Sequence, residues 1–252
     1  MKPALQSSSP RYPDNWSALH LGEELKRIAD EKLYEMSRKM FGYYLVKLGN
    51  LSSELVLPEC PIKHKVNVSR QIASVDTSSS ATNIVGDSSD LPFAERSIDA
   101  FVLAHELDFA QDPHHVLREV DRCMMPDGHI VIIGFNPVSL TGGAKWLPLK
   151  QSSYLHDARC FSANRVKDWL NLLGYQVVQE QSYIHSPLFF ESSINLDSHW
   201  SRFASKYLRY LASVYLIVGK KREFPLSLIK PAWQLKTRFT PVGASMRSAT
   251  SD

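Results

Sequence analysis

Few residues in this chain combine a reactive side chain with a position that could use it. Asp87 follows Gly86 at the end of the β-prone run Thr82–Val85, and Ser88 comes next. Open α/β sheets place ligands beyond the carboxyl ends of their strands, so a carboxylate and a backbone N–H there suit a ligand with hydrogen-bonding edges. The plainer role of an aspartate at such a point is to cap a turn. His105 closes the run Asp99–His105. A histidine at that edge can move a proton near neutral pH, although a lone one is more often structural. His114 and His115 fall in the first turn of an amphipathic helix, on its solvent side. With no third ligand at suitable spacing, no metal site is expected. Cys60, Cys123 and Cys160 form no C-x-x-C pair and are odd in number, which argues against a disulfide framework and structural zinc. No G-x-G-x-x-G follows the first strand, which disfavours a nicotinamide-dependent dehydrogenase.

These residues need a scaffold, and the stretch from Ile84 to Pro137 supplies its centre. Asp99–His105 and Ile130–Phe135 are continuous apolar runs with the length of buried strands, the second too short to span a bilayer. Between them Asp112-Pro113 reads as an N-cap with proline at the first helical position. Val116, Leu117, Val120, Cys123 and Met124 then form one apolar stripe, and Pro126-Asp127-Gly128 ends the helix in a tight turn. Strand, helix, strand is a βαβ unit. Upstream, Leu25, Ile28, Leu33, Met36 and Met40 predict one helix from Leu21 to Gly42. Tyr43–Leu48 is a first strand with Gly49–Ser52 as the loop after it. Pro58 keeps any helix that follows short. Lys65–Ser69 is a second strand, with Ile72–Val75 before Asp76 as the alternative, and Thr82–Val85 is a third. Downstream, Ser162 caps a helix that Phe161 staples onto Val166, and Gly174 stops it. Tyr175–Val178 starts a sixth strand, and Tyr210–Gly219 forms the last.

Asp87, Leu91-Pro92-Phe93, Ser97-Ile98-Asp99, Asp112-Pro113, Leu117-Arg118-Glu119 and Pro126-Asp127-Gly128 share an order and spacing with one known family. The stretch resembles the middle of class I S-adenosylmethionine-dependent methyltransferases, most closely their type 11 group, and the similarity continues from Phe161 to Val178. The resemblance implies an α/β fold: a seven-stranded, mostly parallel Rossmann-like sheet with an antiparallel last strand paired to the sixth, and helices on both faces. It also implies S-adenosylmethionine as methyl donor, lying along the carboxyl ends of the first, third and fourth strands. Its contacts would be Leu48 and Gly49 after the first strand, Asn67 or Ser69 where an acid normally meets the ribose, Asp87 and Ser88 at the adenine, and Ala104 and His105 lining the pocket. No catalytic residue follows, because displacement at an activated sulfonium asks mainly for positioning and desolvation.

The first family motif departs from the pattern. The family carries an acid and then three alternating glycines where this chain has Lys47-Leu48-Gly49-Asn50-Leu51-Ser52. Lys47 reverses the charge and Leu51 adds bulk, so the loop binds the cofactor differently or weakly. Nor is the family's frequent Glu-His pair kept, Asp108-Phe109 standing in its place. A methyltransferase-like binding module that has lost catalysis is therefore the alternative to an enzyme.

The chain of 252 residues, with 44% hydrophobic and 22% charged residues, is long enough for one α/β domain over residues 16–222. An irregular lead-in, residues 1–15, precedes it, and a basic tail, residues 223–252, follows. A net charge of +3 is too small to indicate nucleic acid by itself. No apolar leader follows Met1-Lys2, and no run approaches the roughly 20 apolar residues of a membrane helix, so a cytoplasmic protein is expected. A small molecule is the favoured acceptor, bordered by the loop Asn136–Gly143. Lys145, Trp146, Lys150, Tyr154 and His156 lie close by in sequence, and an insertion at Ser186–Lys206 would cover the active face or a sheet edge. The tail could draw RNA or another anionic partner, or be solvated and bind nothing.

Overall fold

Along Tyr44–Leu48, Leu45 turns to one apolar core while Val46 and Leu48 turn to another, as a side-chain period of two requires. A strand buried on both faces must be covered by helices on both. The structure, a computed structural model, describes residues 10–19, 21–70, 81–137, 154–183 and 212–223. In chain order its elements are α1 (Gly22–Ser37), β1 (Tyr44–Leu48), α2 (Asn50–Ser53), β2 (His64–Ser69), β3 (Thr82–Val85), β4 (Ile98–Ala104), α3 (Glu106–Phe109), α4 (Pro113–Cys123), β5 (Met124–Phe135), α5 (Tyr154–Asp157), α6 (Ala163–Leu172), β6 (Tyr175–Tyr183) and β7 (Val214–Lys221).

The strands form one seven-stranded sheet in the order β3-β2-β1-β4-β5-β7-β6. β1 to β5 pair in parallel, and β7 runs antiparallel to both β5 and β6. The order reverses between β1 and β4, which is where a doubly wound sheet opens a crevice at its carboxyl edge. Leu25, Ile28, Leu33 and Met36 of α1 pack on the face that carries Leu45, Val102 and Val131. Val116, Leu117 and Val120 of α4, with Val166 and Leu170 of α6, pack on the opposite face with Phe101, Leu103 and Ile132. The Rossmann-like sheet with its antiparallel last strand is as the sequence implies.

Local chemistry explains the helix on which the site leans. Asp112 Oδ1 accepts from the backbone N–H groups of His114 at 3.0 Å and His115 at 3.1 Å, and Pro113 occupies the first helical position. At the other end Lys221 Nζ donates to Asp121 O at 2.8 Å, meeting a carbonyl of the last turn. Arg122 donates to Phe93 O and Leu91 O, both at 3.0 Å, and is held by Glu119 at 2.8 Å. The Leu91-Pro92-Phe93 segment is thereby fixed onto α4. Ser162 Oγ caps α6, and Gly174, with φ of 85°, follows it in the conformation glycine adopts most readily.

Several boundaries differ from expectation. α1 ends at Ser37, not Gly42, yet Met40 stays in the same core beyond it. Residues Pro126–Gly128 do not form a separate turn: β5 begins at Met124, its pairing with β4 shifts register between Ile98 and Ala100, and Asp127 absorbs the bend with φ of 63°. The last strand runs from Val214 to Lys221, later than Tyr210–Gly219. His115 is exposed as expected, whereas His114 is half-buried, its ring tilted against Trp169 at 4.3 Å. Residues 71–80, most of the loop Asn136–Gly143, Lys145, Trp146, Lys150, the His156 side chain, the insertion Ser186–Lys206 and the tail beyond Glu223 lie outside the described residues. Among the described residues no helix is long and apolar enough to cross a membrane.

Candidate active site

Because β1, β2 and β3 are parallel and in register, they deliver Gly49, Arg70 and Gly86 to one edge of the sheet. A cleft opens there. Leu48, Gly49 and Asn50 line it from β1, Val68, Ser69 and Arg70 from β2, Gly86 and Ser88 from β3, and Glu106 from the turn after β4. Tyr12, from the segment ahead of α1, closes the front. Gly49 has φ of 92°, and a Cβ on it would overlap both Glu106 Oε2 and the Tyr12 hydroxyl. Only glycine lets the backbone pass this close.

The loop after β1 is not open, as the sequence led one to expect, but winds into the single turn α2. Ser53 donates to Gly49 O through its N–H at 3.1 Å and its hydroxyl at 2.9 Å. Ser52 Oγ accepts from the Ala104 N–H at 2.7 Å, tying the turn to the end of β4. Asn50, Leu51 and Ser52 are compatible with helical backbone where the family's glycines would favour an extended loop.

The residues ahead of α1 fasten onto this turn. Trp16 is fully buried, and its Nε1 donates to Leu51 O at 2.8 Å. The Tyr12 hydroxyl donates to the Glu106 carboxylate, and its ring meets Phe109 edge-on at 5.7 Å. The Arg70 guanidinium lies over the Tyr12 ring at 5.5 Å and approaches Asp87 Oδ1 at 3.6 Å. The Ser88 hydroxyl is buried near the Glu106 and Asp87 carboxylates without a hydrogen bond of ordinary geometry.

Burial sets the protonation of this group. It raises the Glu106 carboxyl above its usual range, against the opposing pull of Tyr12, Ser88 and Arg70. It raises Tyr12 further still, helped by the Glu106 charge. At Asp87 burial also pushes upward, but the Ser89 hydroxyl at 2.6 Å and N–H at 3.0 Å, with Arg70 nearby, outweigh it and hold the carboxyl below its usual range. Asp87 therefore makes the local turn of the plainer reading while presenting an ionised carboxylate at the cleft's rim.

The expected site residues separate into two groups. Leu48, Gly49 and Ser88 line the cleft, Ser69 does so as the alternative on β2, and Asp87 stands at the rim. Asn67 does not belong to it. Its side chain shares a face with Lys47, its partner in register, and donates to Asn83 Oδ1 at 2.8 Å; the strand runs two residues past the point expected for the ribose contact. Ala104 is buried in the core on the α1 side. His105 is 1% exposed, stacked on Phe135 at 3.9 Å and edge-on to Trp16 at 5.6 Å. Its Nδ1 lies 3.0 Å from Asp108 Oδ2, which also accepts from the Phe135 N–H at 2.9 Å. The dyad locks the ends of β4 and β5 together away from the cleft. Among the described residues no cluster could hold a metal ion.

Arg70, Glu106 and Tyr12 are among the lining residues that sequence reasoning did not single out. Arg70 directly follows β2, and Glu106 lies two positions past β4, so both carried a positional signal. Tyr12 carried none, because only the fold brings it to Gly49.

Comparison with known proteins agrees with this geometry. The profile of a methyltransferase domain, the type 11 group, matches residues 62–132, from just before β2 into β5, and so begins after the altered turn. Over 238 residues the chain is 35% identical to the uncharacterized protein YafS of Escherichia coli (strain K12), spanning 94% of this chain and 92% of that protein. An S-adenosylmethionine-dependent methyltransferase from Archaeoglobus fulgidus superposes with a TM-score of 0.56 at 16% identity, over 78% of this chain and 94% of that one. A chain of the complex between the Haloferax volcanii Trm112 methyltransferase activator and a methyltransferase superposes with a TM-score of 0.57 at 16% identity, over 84% of this chain and 100% of that one. Such distant likenesses speak for the fold alone. Fold and profile agree: the chain belongs with the class I S-adenosylmethionine-dependent methyltransferases through the type 11 methyltransferase domain that it carries.

Proposed function

We propose that this chain is an active enzyme that binds S-adenosylmethionine in the cleft beyond β1, β2 and β3 and transfers its methyl group to a small-molecule acceptor. The observation that carries the reading is the close approach at Gly49, where backbone lies against polar groups of the cleft at a point no side chain could occupy. The residues fit a nucleoside joined to an amino acid. Asp87 offers an ionised acceptor for the adenine amino group, and the backbone at Ser88 is placed for the ring. Ser69 and Arg70 stand where the ribose hydroxyls would lie, and Gly49 admits the methionine portion. Bound there, the cofactor would supply a methyl group on a positively charged sulfur. The chain's own part is to hold the two reactants in line and exclude water.

The cleft leaves a cavity of about 10 Å³, far below the roughly 300 Å³ at which small-molecule pockets begin. Tyr12 must therefore swing aside before a ligand of this size can enter. Titration calorimetry with S-adenosylhomocysteine tests the reading, and saturable binding by the purified chain is the expected result. Asp87→Ala should weaken it about tenfold while the chain stays folded, the low end for a charged hydrogen bond because the Asp87 side chain is 53% exposed. No binding at millimolar ligand would refute the proposal. Saturable binding without transfer of labelled methyl to any small molecule of a cell extract would favour the catalytically silent module.

A further inference from the structure

The cofactor's amino-acid end carries an ammonium group, and burying a cation requires a counter-charge. Lys47 occupies the β1 position where the family keeps an acid, and it points the wrong way. Its Nζ donates to Ser53 O at 2.8 Å and Leu55 O at 3.1 Å, on the face covered by α1. Among the described residues Glu106 is the only acid lining the cleft. It comes from the turn after β4 and is 2% exposed, with its carboxylate against the Gly49 backbone. Its direct hydrogen-bond partner there is the Tyr12 hydroxyl, from the segment that must move to admit a ligand. A buried carboxyl that meets a displaceable neutral donor is set up to exchange that donor for a stronger, charged one.

We infer that Glu106 is the counter-charge for the ammonium group at the amino-acid end of the cofactor, and that the Tyr12 hydroxyl holds that position until the ammonium replaces it. The inference rests on the cofactor lying in this cleft with its methionine portion at Gly49. The acid missing from β1 is thus supplied from β4, across the crevice. Asp87, at the rim beside Arg70, remains with the nucleoside end.

The test uses two ligands that differ in the group concerned. S-adenosylhomocysteine has the ammonium, whereas 5′-methylthioadenosine keeps the nucleoside and thioether and lacks the amino-acid end. Titration calorimetry of the full chain should show Glu106→Gln weakening S-adenosylhomocysteine about 10- to 100-fold, as for the loss of a charged hydrogen bond, while 5′-methylthioadenosine is held as before. Tyr12→Phe should act in the opposite direction, tightening S-adenosylhomocysteine, because it removes the competing donor. This second variant keeps the question answerable if Glu106→Gln does not fold. Equal weakening of both ligands by Glu106→Gln, or unchanged S-adenosylhomocysteine affinity in it, would overturn the inference and leave the cofactor site standing. Failure of the parent chain to bind either ligand would overturn the site and the inference together.

Discussion

Lys47 is 6% exposed, and burial, with Lys65 and Lys26 nearby, pushes its ammonium down to about 8 from 10.5. An unfolded chain takes up this proton first as pH falls, so the lysine makes the fold less stable through the window from 10.5 to about 8. The loss amounts to roughly 3 kcal/mol, fully present below that window and absent above it. Urea unfolding of the parent and Lys47→Met across pH 7 to 11 should show the parent losing this much more than the variant on acidification. Parallel curves would mean that the ammonium keeps its ordinary affinity for protons. The same residue shows how much of the site could be read from the chain. The sequence displayed the reversed charge at position 47, but the pleat decides that Lys47 shares a face with Leu45 and leaves the cleft altogether. Gly49, Asp87 and Ser88 were legible because strand ends are local features. Glu106 and Tyr12 were not, since nothing local shows that residues 94 positions apart will share a hydrogen bond.

At the level of elements, α4 was readable and decisive. Asp112-Pro113 announces its start, and Val120, fully buried, sits at the middle of its contact with the sheet. Val120→Asp places an unpaired carboxylate in that contact, at a cost of several kcal/mol against a total stability of about 5–15. The variant is expected to be unfolded or insoluble; an unchanged thermal melt would show that α4 does not pack as described. Two elements misled. The serines, prolines and asparagine of the lead-in favour irregular backbone, which residues 10–15 do show, but composition says nothing of docking. Trp16, the first residue after the lead-in, anchors it by filling a core position and bonding to α2. The turn after β1 was read against a glycine-rich loop, yet its serines supply the side-chain hydrogen bonds that close a helical turn.

Across the whole molecule, the seven strands could be recognised one by one, while their order depends on pairings between distant segments. β7 enters between β5 and β6, so the last described strand joins the penultimate one to the rest of the sheet. A chain cut before Val214 should lose β6 as well and aggregate through the bare edge of β5. One ending at residue 239 keeps every described strand and should melt at the temperature of the full chain, as differential scanning calorimetry of both truncations would reveal. The same topology bears on how the protein is made. Translation delivers β6 before β7, its only neighbour among the described strands, exists. At about 5–20 residues per second, the roughly 40 residues from the end of β6 to the end of β7 take about 2–8 s to appear. For that interval a nascent chain with five strands already in place carries a sixth whose partner among the described strands is still missing, which makes this interval the one at which a holding chaperone would matter most.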